Sequence, residues 1–150
     1  MNETDFIRRQ LAAERAHLRE VLEAVCEGDA GSASSGPVAV YVDWAGRRLL
    51  EQLAGHQAAL RAAPSLSGDT QAQLLQVAEA ASRVTQTAAR PLQRAQRLLQ
   101  LLDAWSDGLD ELAGRTLRIA HWRRAAHLNA DAILEERRLY AAARLAMGVS

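Results

Sequence analysis

Apolar residues return along this chain every three or four positions and rarely alternate. Ile7, Leu11, Leu18, Val21, Leu22 and Val25 share one stripe at a period of 3.6, which predicts a first helix from about Thr4 to Glu27. The stretch GDAGSASSGP, residues 28–37, breaks the pattern with glycine and serine and reads as a flexible connector, with Pro37 suited to the first turn of the next helix. Val38, Val42, Ala45, Leu49, Leu53, His56 and Leu60 then predict helix 2 over roughly Val38–Ala62. After PSLSGD, Asp69 or Thr70 is the expected N-cap, with Gln73 completing a capping box. A long third stripe (Leu74, Ala78, Ala81, Thr85, Ala88, Leu92, Ala95, Leu99, Leu102) predicts a helix from about Thr70 to Trp105. Pro91 lies inside it, lacks an N–H, and should kink that helix or divide it in two. The turn WSDG leads into a last helix from about Leu109, with Leu109, Leu112, Thr116, Ala120, Leu134, Ala141 and Leu145 as its inner face. A continuous helix would point Arg123 inward, so an interruption is expected near residues 121–131, with Asn129 or Asp131 capping the final segment.

Long amphipathic segments joined by short connectors predict an all-α fold. They suit an antiparallel four-helix bundle, up-down-up-down, as one domain over residues 1–150. Composition agrees, with three prolines, 4% aromatics and abundant Ala, Leu, Gln, Glu and Arg. A chain of 150 residues is long enough to bury roughly 70% of its unfolded surface, so a self-sufficient core is feasible. Formal net charge is zero, which leaves no positive field to attract nucleic acid or anionic lipid; neither partner is expected. All 18 basic residues are Arg, which we attribute to codon bias. Acids crowd the first thirty residues and arginines the last segment, so antiparallel packing of the two would pair the signs. Cys26 is the only cysteine, which excludes a disulfide-stapled class. The start, MNETDFIRRQ, lacks an apolar signal core, and no run reaches the length of a membrane span. The expected compartment is the cytoplasm.

Helical bundles build metal sites from His and carboxylates that project inward on facing helices. At 100° per residue, Glu14 falls within the helix 1 stripe, His56 within the helix 2 stripe, and His127 with Asp131 four residues on forms a pair in the last segment. Together Glu14, His56, His127 and Asp131 offer two nitrogens and two oxygens, a donor set for Fe, Zn or Mn. The competing reading is a satisfied polar core, because the inner stripe of helix 3 supplies neither His nor carboxylate. His17 sits at the flank of the helix 1 stripe, and His121 is expected in solvent. Glu135 and Glu136 with Arg137 and Arg138 read as a solvated face with local ion pairs. Cys26 lacks the setting of a reactive thiolate. No GxxxxGK[ST], GxGxxG, GxSxG or HExxH occurs, and nothing supports a nucleophilic triad. Trp44, Trp105, Trp122, Tyr41 and Tyr140 are the few large side chains and are expected to cap the core; clustered on the surface they would mark a subunit interface.

Three stretches resemble bacterial hemerythrin-like proteins, the HHE cation-binding family. DFIRRQLAAERAHLREVLEAV resembles that family's first helix, with His17 at the place of its histidine. AVYVDWAGRRLLEQL is similar to the second helix, which binds iron through a paired His and a Glu four residues on, and ILEERRLYAAAR is similar to the closing motif. Arg47 and Arg48 stand where the second helix places His, leaving Glu51, which helical phasing turns outward; Asp131 stands where the last helix places His. The resemblance therefore implies the family's bundle with its diiron site lost. The expected role is binding or assembly without catalysis or cofactor, as a homo-oligomer or with a protein partner. The alternative is a metal-binding relative that senses oxygen or redox state, or handles metal. Small-ligand binding between Ala-lined helices is a third reading that the sequence neither supports nor denies.

Overall fold

The computed structural model describes residues 2–28, 36–62, 67–85, 90–105, 114, 117–126 and 130–148. Every element among them is helical: α1 (Glu3–Glu27), α2 (Gly36–Ala62), α3 (Gly68–Thr85), α4 (Pro91–Ala104), α5 (Ile119–Ala126) and α6 (Ala130–Ala146). No helix among the described residues is long and apolar enough to cross a membrane. Of the connector expected at 28–37, residues 29–35 lie outside the described set, while Gly36 and Pro37 already form the first turn of α2. The expected start of the last helix near Leu109 and the candidate ligand His127 also lie outside it.

Local chemistry sets the ends. The Asn2 side chain accepts from the Asp5 N–H at 2.8 Å and starts α1. Gly28 ends it, donating its N–H to Ala24 O; a Cβ there would stand 2.9 Å from the same oxygen, so only glycine closes the turn without strain. Before α3 the capping oxygen belongs to Ser67, which accepts from the Thr70 N–H at 3.3 Å, so Asp69 and Thr70 fall inside the helix.

Residues 70–105 do not form one rod. The chain divides ahead of Pro91, and α3 and α4 pack against each other. Pro91 is suited to its place as the first residue of α4, where its missing N–H costs nothing. α1 packs on α2 and α4, and α3 on the same two helices; α5 and α6 pack against α2 and α1. Close approach is local: Leu98 Cδ1 of α4 lies 3.2 Å from where a Gly46 Cβ would be.

Cross-helix pairs fix directions. Arg8 lies over Trp122, His17 meets Glu136, and Glu20 meets Arg144, so residue numbers on α1 and on α5–α6 rise together and these segments run parallel. The expected pairing of the acidic first and basic last segments does occur, in Glu3–Arg123 and Glu20–Arg144, but not by antiparallel packing. The physical reason is the fold-back at Pro91, which adds one reversal before the last rod. Against α2 that rod is antiparallel, His56 touching Trp122 and Tyr41 touching Glu136. Of the interruption expected near 121–131, residues 127–129 lie outside the described set; α5 and α6 on either side share α1 and α2 as neighbours.

The core is continuous, from Ile7, Leu11, Leu18, Val21, Leu22 and Val25 of α1 through Leu49, Leu53 and Leu60 of α2 to Leu98, Leu101 and Leu102 of α4. Each such side chain contributes roughly 1.5–3 kcal/mol on burial. Trp105 and Trp122 are fully buried, as expected of core caps. On α6 the expected inner face is reversed. Leu134 and Leu145 are 61% and 71% exposed and Ala141 is exposed, whereas Glu136, Leu139 and Ala143 are buried.

Candidate functional site

Two buried carboxylates, Glu14 and Glu136, lie in a polar seam between α1, α2 and α6. Glu14, on the buried stripe of α1, is held by Arg48 of α2: Nε donates to Oε1 at 2.5 Å and Nη2 to Oε2 at 3.4 Å. Both side chains are about nine-tenths buried. Burial pushes the Glu14 carboxyl above its ordinary range, and nearby Glu136 adds to this, while Arg48 pulls it back.

Glu136 of α6 is 1% exposed. Nδ1 of His17 lies 2.8 Å from its Oε1, and the Tyr41 hydroxyl donates to the same oxygen at 3.3 Å. Burial, then the Glu136 charge, drives the Tyr41 phenol far above its ordinary value. Tyr140 stacks on His17 with ring centroids 4.0 Å apart and donates its hydroxyl to Glu20. Its phenol is pushed up to about 12, chiefly by burial and then by Glu20. Glu14, Arg48, Gln52 and Glu136 also border a cavity of about 10 Å³, room for roughly one water. The seam can hold protons and a water, and it ties three helices together through two carboxylates.

Of the four sequence-derived metal candidates, Glu14, His56 and Asp131 are among the described residues, and the structure sets them in different surroundings. Glu14 is engaged by Arg48. His56 is fully buried in a different cluster, its ring T-shaped to Trp105 at 5.3 Å and to Trp122 at 4.9 Å, with the Arg15 guanidinium also over Trp105. Asp131 does not point with the core; it is exposed at the start of α6. His127 lies outside the described residues. Among the described residues no three His, Cys, Asp or Glu side chains cluster so as to hold a metal ion.

Asp131 lines an open groove of about 550 Å³ with Ala132, Glu135, Trp44, Arg47, Arg48 and Glu51. Glu51 thus faces outward, as its helical phase predicts. Both arginines of the groove already carry carboxylates of their own, Arg47 with Asp43 at 3.3 Å and Arg48 with Glu14.

Sequence reasoning placed Glu14 on the inner face but missed Arg48, Gln52 and Glu136 as its companions in the seam. Tyr41 and Gln52 were legible: each follows a stripe residue, Val38 or Leu49, by three positions. Glu136, expected in solvent, had only a faint signal, lying three and seven residues before Leu139 and Ala143. An all-helical chain with a hydrogen-bonded carboxylate seam is the class that fold and site define. Compared with family models, curated proteins and solved structures, the chain matches none of them.

Proposed function

We propose that this chain is a cytoplasmic helical-bundle protein, hemerythrin-like in form, whose role is binding or assembly and which carries no intact diiron site. Around α1 and α2 pack the folded-back pair α3–α4, which stands in place of the single third helix of that bundle, and the last segment, α5–α6. What supports this reading is the Glu14–Arg48 pair: a guanidinium from α2 supplies the positive charge that a metal would bring to the inner carboxylate of α1. Glu136 is likewise satisfied by His17 and Tyr41. A metal entering the seam would have to break these hydrogen bonds and leave Arg48 buried without its counter-charge, a cost of several kcal/mol.

Elemental analysis and solution mass, measured on one preparation, test the reading. We expect iron, zinc and manganese far below one per chain and a mass that is a multiple of 16.3 kDa. Stoichiometric metal, or a visible oxo-bridged iron band, would overturn the metal-free reading in favour of a metal-binding protein.

A further inference from the structure

Charge is balanced over the whole chain but not along it. Between Glu79 and Asp103 the sequence has no acidic residue, while Arg83, Arg90, Arg94 and Arg97 all fall within that stretch. The two acids that bound it are engaged elsewhere, Glu79 by Arg61 of α2 and Asp103 by Arg19 of α1. Arg47, Arg123, Arg138 and Arg144 likewise carry carboxylates of their own. Arg90, Arg94 and Arg97 form no ion pair among the described residues. Steps of four and three residues set them along one edge of α4, with Arg90 and Arg94 exposed and Arg97 half-buried. Exposed Gln93, Gln96 and Gln100 share the outer side of the helix, and none of the exposed large apolar side chains lies on α4. Arg90 is also the N-cap of α4 and makes no capping bond, so the positive end of the helix dipole adds to the same field.

A net charge of zero does not cancel such a stripe. At physiological salt, charges are screened beyond about 8 Å. A ligand at α4 therefore meets the arginines there and little of the acid carried by the rest of the chain.

We propose that this edge of α4 binds the phosphate backbone of a nucleic-acid duplex. The proposal names a partner for the binding role above and rests on that reading. Arginine forks take phosphate oxygens in pairs of hydrogen bonds, and glutamine amides donate to the same oxygens. The rise from Arg90 to Arg97 is about 10 Å, a length over which a duplex carries about six phosphate charges. Each arginine can thus find a phosphate of its own. Other polyanions and partners fit less well. A single strand is held largely by stacking on aromatic rings, and α4 contains none. A lipid surface takes an inserted apolar face, and a protein interface needs apolar or aromatic anchors at its centre. On α4 arginine and glutamine stand in those places.

Fluorescence anisotropy of a labelled DNA duplex two turns long, titrated with the full chain, tests the proposal. Three phosphate contacts predict that affinity falls roughly 40-fold between about 50 and about 200 mM salt. The triple variant Arg90→Gln/Arg94→Gln/Arg97→Gln should lose the binding with unchanged far-ultraviolet dichroism. Arg47→Gln/Arg123→Gln/Arg138→Gln removes the same net charge from exposed ion pairs and should bind as the wild type does. A duplex left unbound at about 50 mM salt overturns the proposal and leaves binding or assembly through another surface standing. Stoichiometric metal in the same preparation is what would overturn that broader role. Equal losses in the two triple variants overturn α4 as the contact, because net charge alone would then act. Tighter binding of the single strand, of poly-glutamate or of phosphatidylserine vesicles overturns the duplex as the ligand.

Discussion

α1 and α6 lie side by side, run in the same direction and share the seam, yet they choose their buried faces on different grounds. α1 turns six large apolar side chains inward and carries Glu14 among them. α6 turns Glu136, Leu139 and Ala143 inward and leaves Leu134 and Leu145 outside. Exposing two leucines forfeits roughly 1.5–3 kcal/mol each. A carboxylate that takes hydrogen bonds from two partners returns about 1.5–3 kcal/mol for each bond. Where apolar density is high, burial sets the rotation of a helix. In an Ala-rich helix the two terms are comparable, and one satisfied carboxylate decides.

The largest effect should come from the seam itself. Arg48→Ala leaves Glu14 buried without its counter-charge and should cost about 3–5 kcal/mol in urea unfolding. Replacing both partners by methionine should recover most of that loss, because an apolar pair removes the charge together with the need to solvate it. A loss below about 1 kcal/mol for Arg48→Ala would mean that the pair behaves as a surface ion pair and does not hold α1 to α2.

The contrast between the two helices sharpens with one leucine from each. Leu11 is fully buried and Leu134 is 61% exposed. Leu11→Ala should cost about 2–5 kcal/mol. Leu134→Ala, measured at low protein concentration where self-association does not contribute, should stay within about 0.5 kcal/mol. Equal losses would break the comparison, because they would require Leu134 to point inward as its apolar character alone suggests.

That character is also what made part of the fold legible and part not. The stripes of α1 and α2 were read correctly because leucine, isoleucine and valine outnumber alanine on them, and only one rotation buries them all. Pro91 marked the division of residues 70–105. Nothing in the local pattern said that the halves would fold against each other, since that depends on surfaces contributed by α1 and α2. On α6, alanine at several positions made many rotations nearly equal in apolar area. The deciding group was a carboxylate whose partners, His17 and Tyr41, lie 119 and 95 residues away in sequence. Glu14 was located from its stripe. Its partner was not, because Arg48 adjoins Arg47 and periodicity does not say which of two arginines reaches inward. His56 was correctly placed in the core, but its neighbours are tryptophans instead of carboxylates.

Acidity distinguishes Glu14 from the exposed carboxylates. Burial raises the Glu14 carboxyl above 4.5, so the folded chain binds that proton more readily than the unfolded chain. Its contribution is therefore fully present below the unfolded value and is lost as pH rises through the folded one. Glu3 and Glu135, lowered by hydrogen bonds from Arg123 and Arg138, act in the opposite sense: their contributions are present above the unfolded value and fade as pH falls. Glu14→Gln should accordingly gain on the wild type as pH is raised from about 4.5 to neutrality, read from urea midpoints along that range. A difference that stays flat with pH, or shrinks, would show that Arg48 outweighs burial at this carboxyl.

The smallest effect concerns Tyr140, where α6 meets α1 at its more exposed edge. Its phenol is pushed up to about 12, by burial first and by Glu20 second, and Tyr41 titrates higher still. The chain has two tyrosines, so the folded protein should show little tyrosinate absorbance at about pH 11, whereas the unfolded chain should ionise both rings near 10. Because the folded-state value is raised, the contribution of Tyr140 to stability is present below about pH 10 and is lost as pH climbs through about 12. Tyr140→Phe removes the bond to Glu20 and should cost no more than about 1 kcal/mol at neutral pH, while flattening the alkaline loss. Ionisation of one full ring near pH 10 in the folded wild type would place Tyr140 in water. The α1–α6 contact would then rest on His17 with Glu136 and on the Glu20–Arg144 pair.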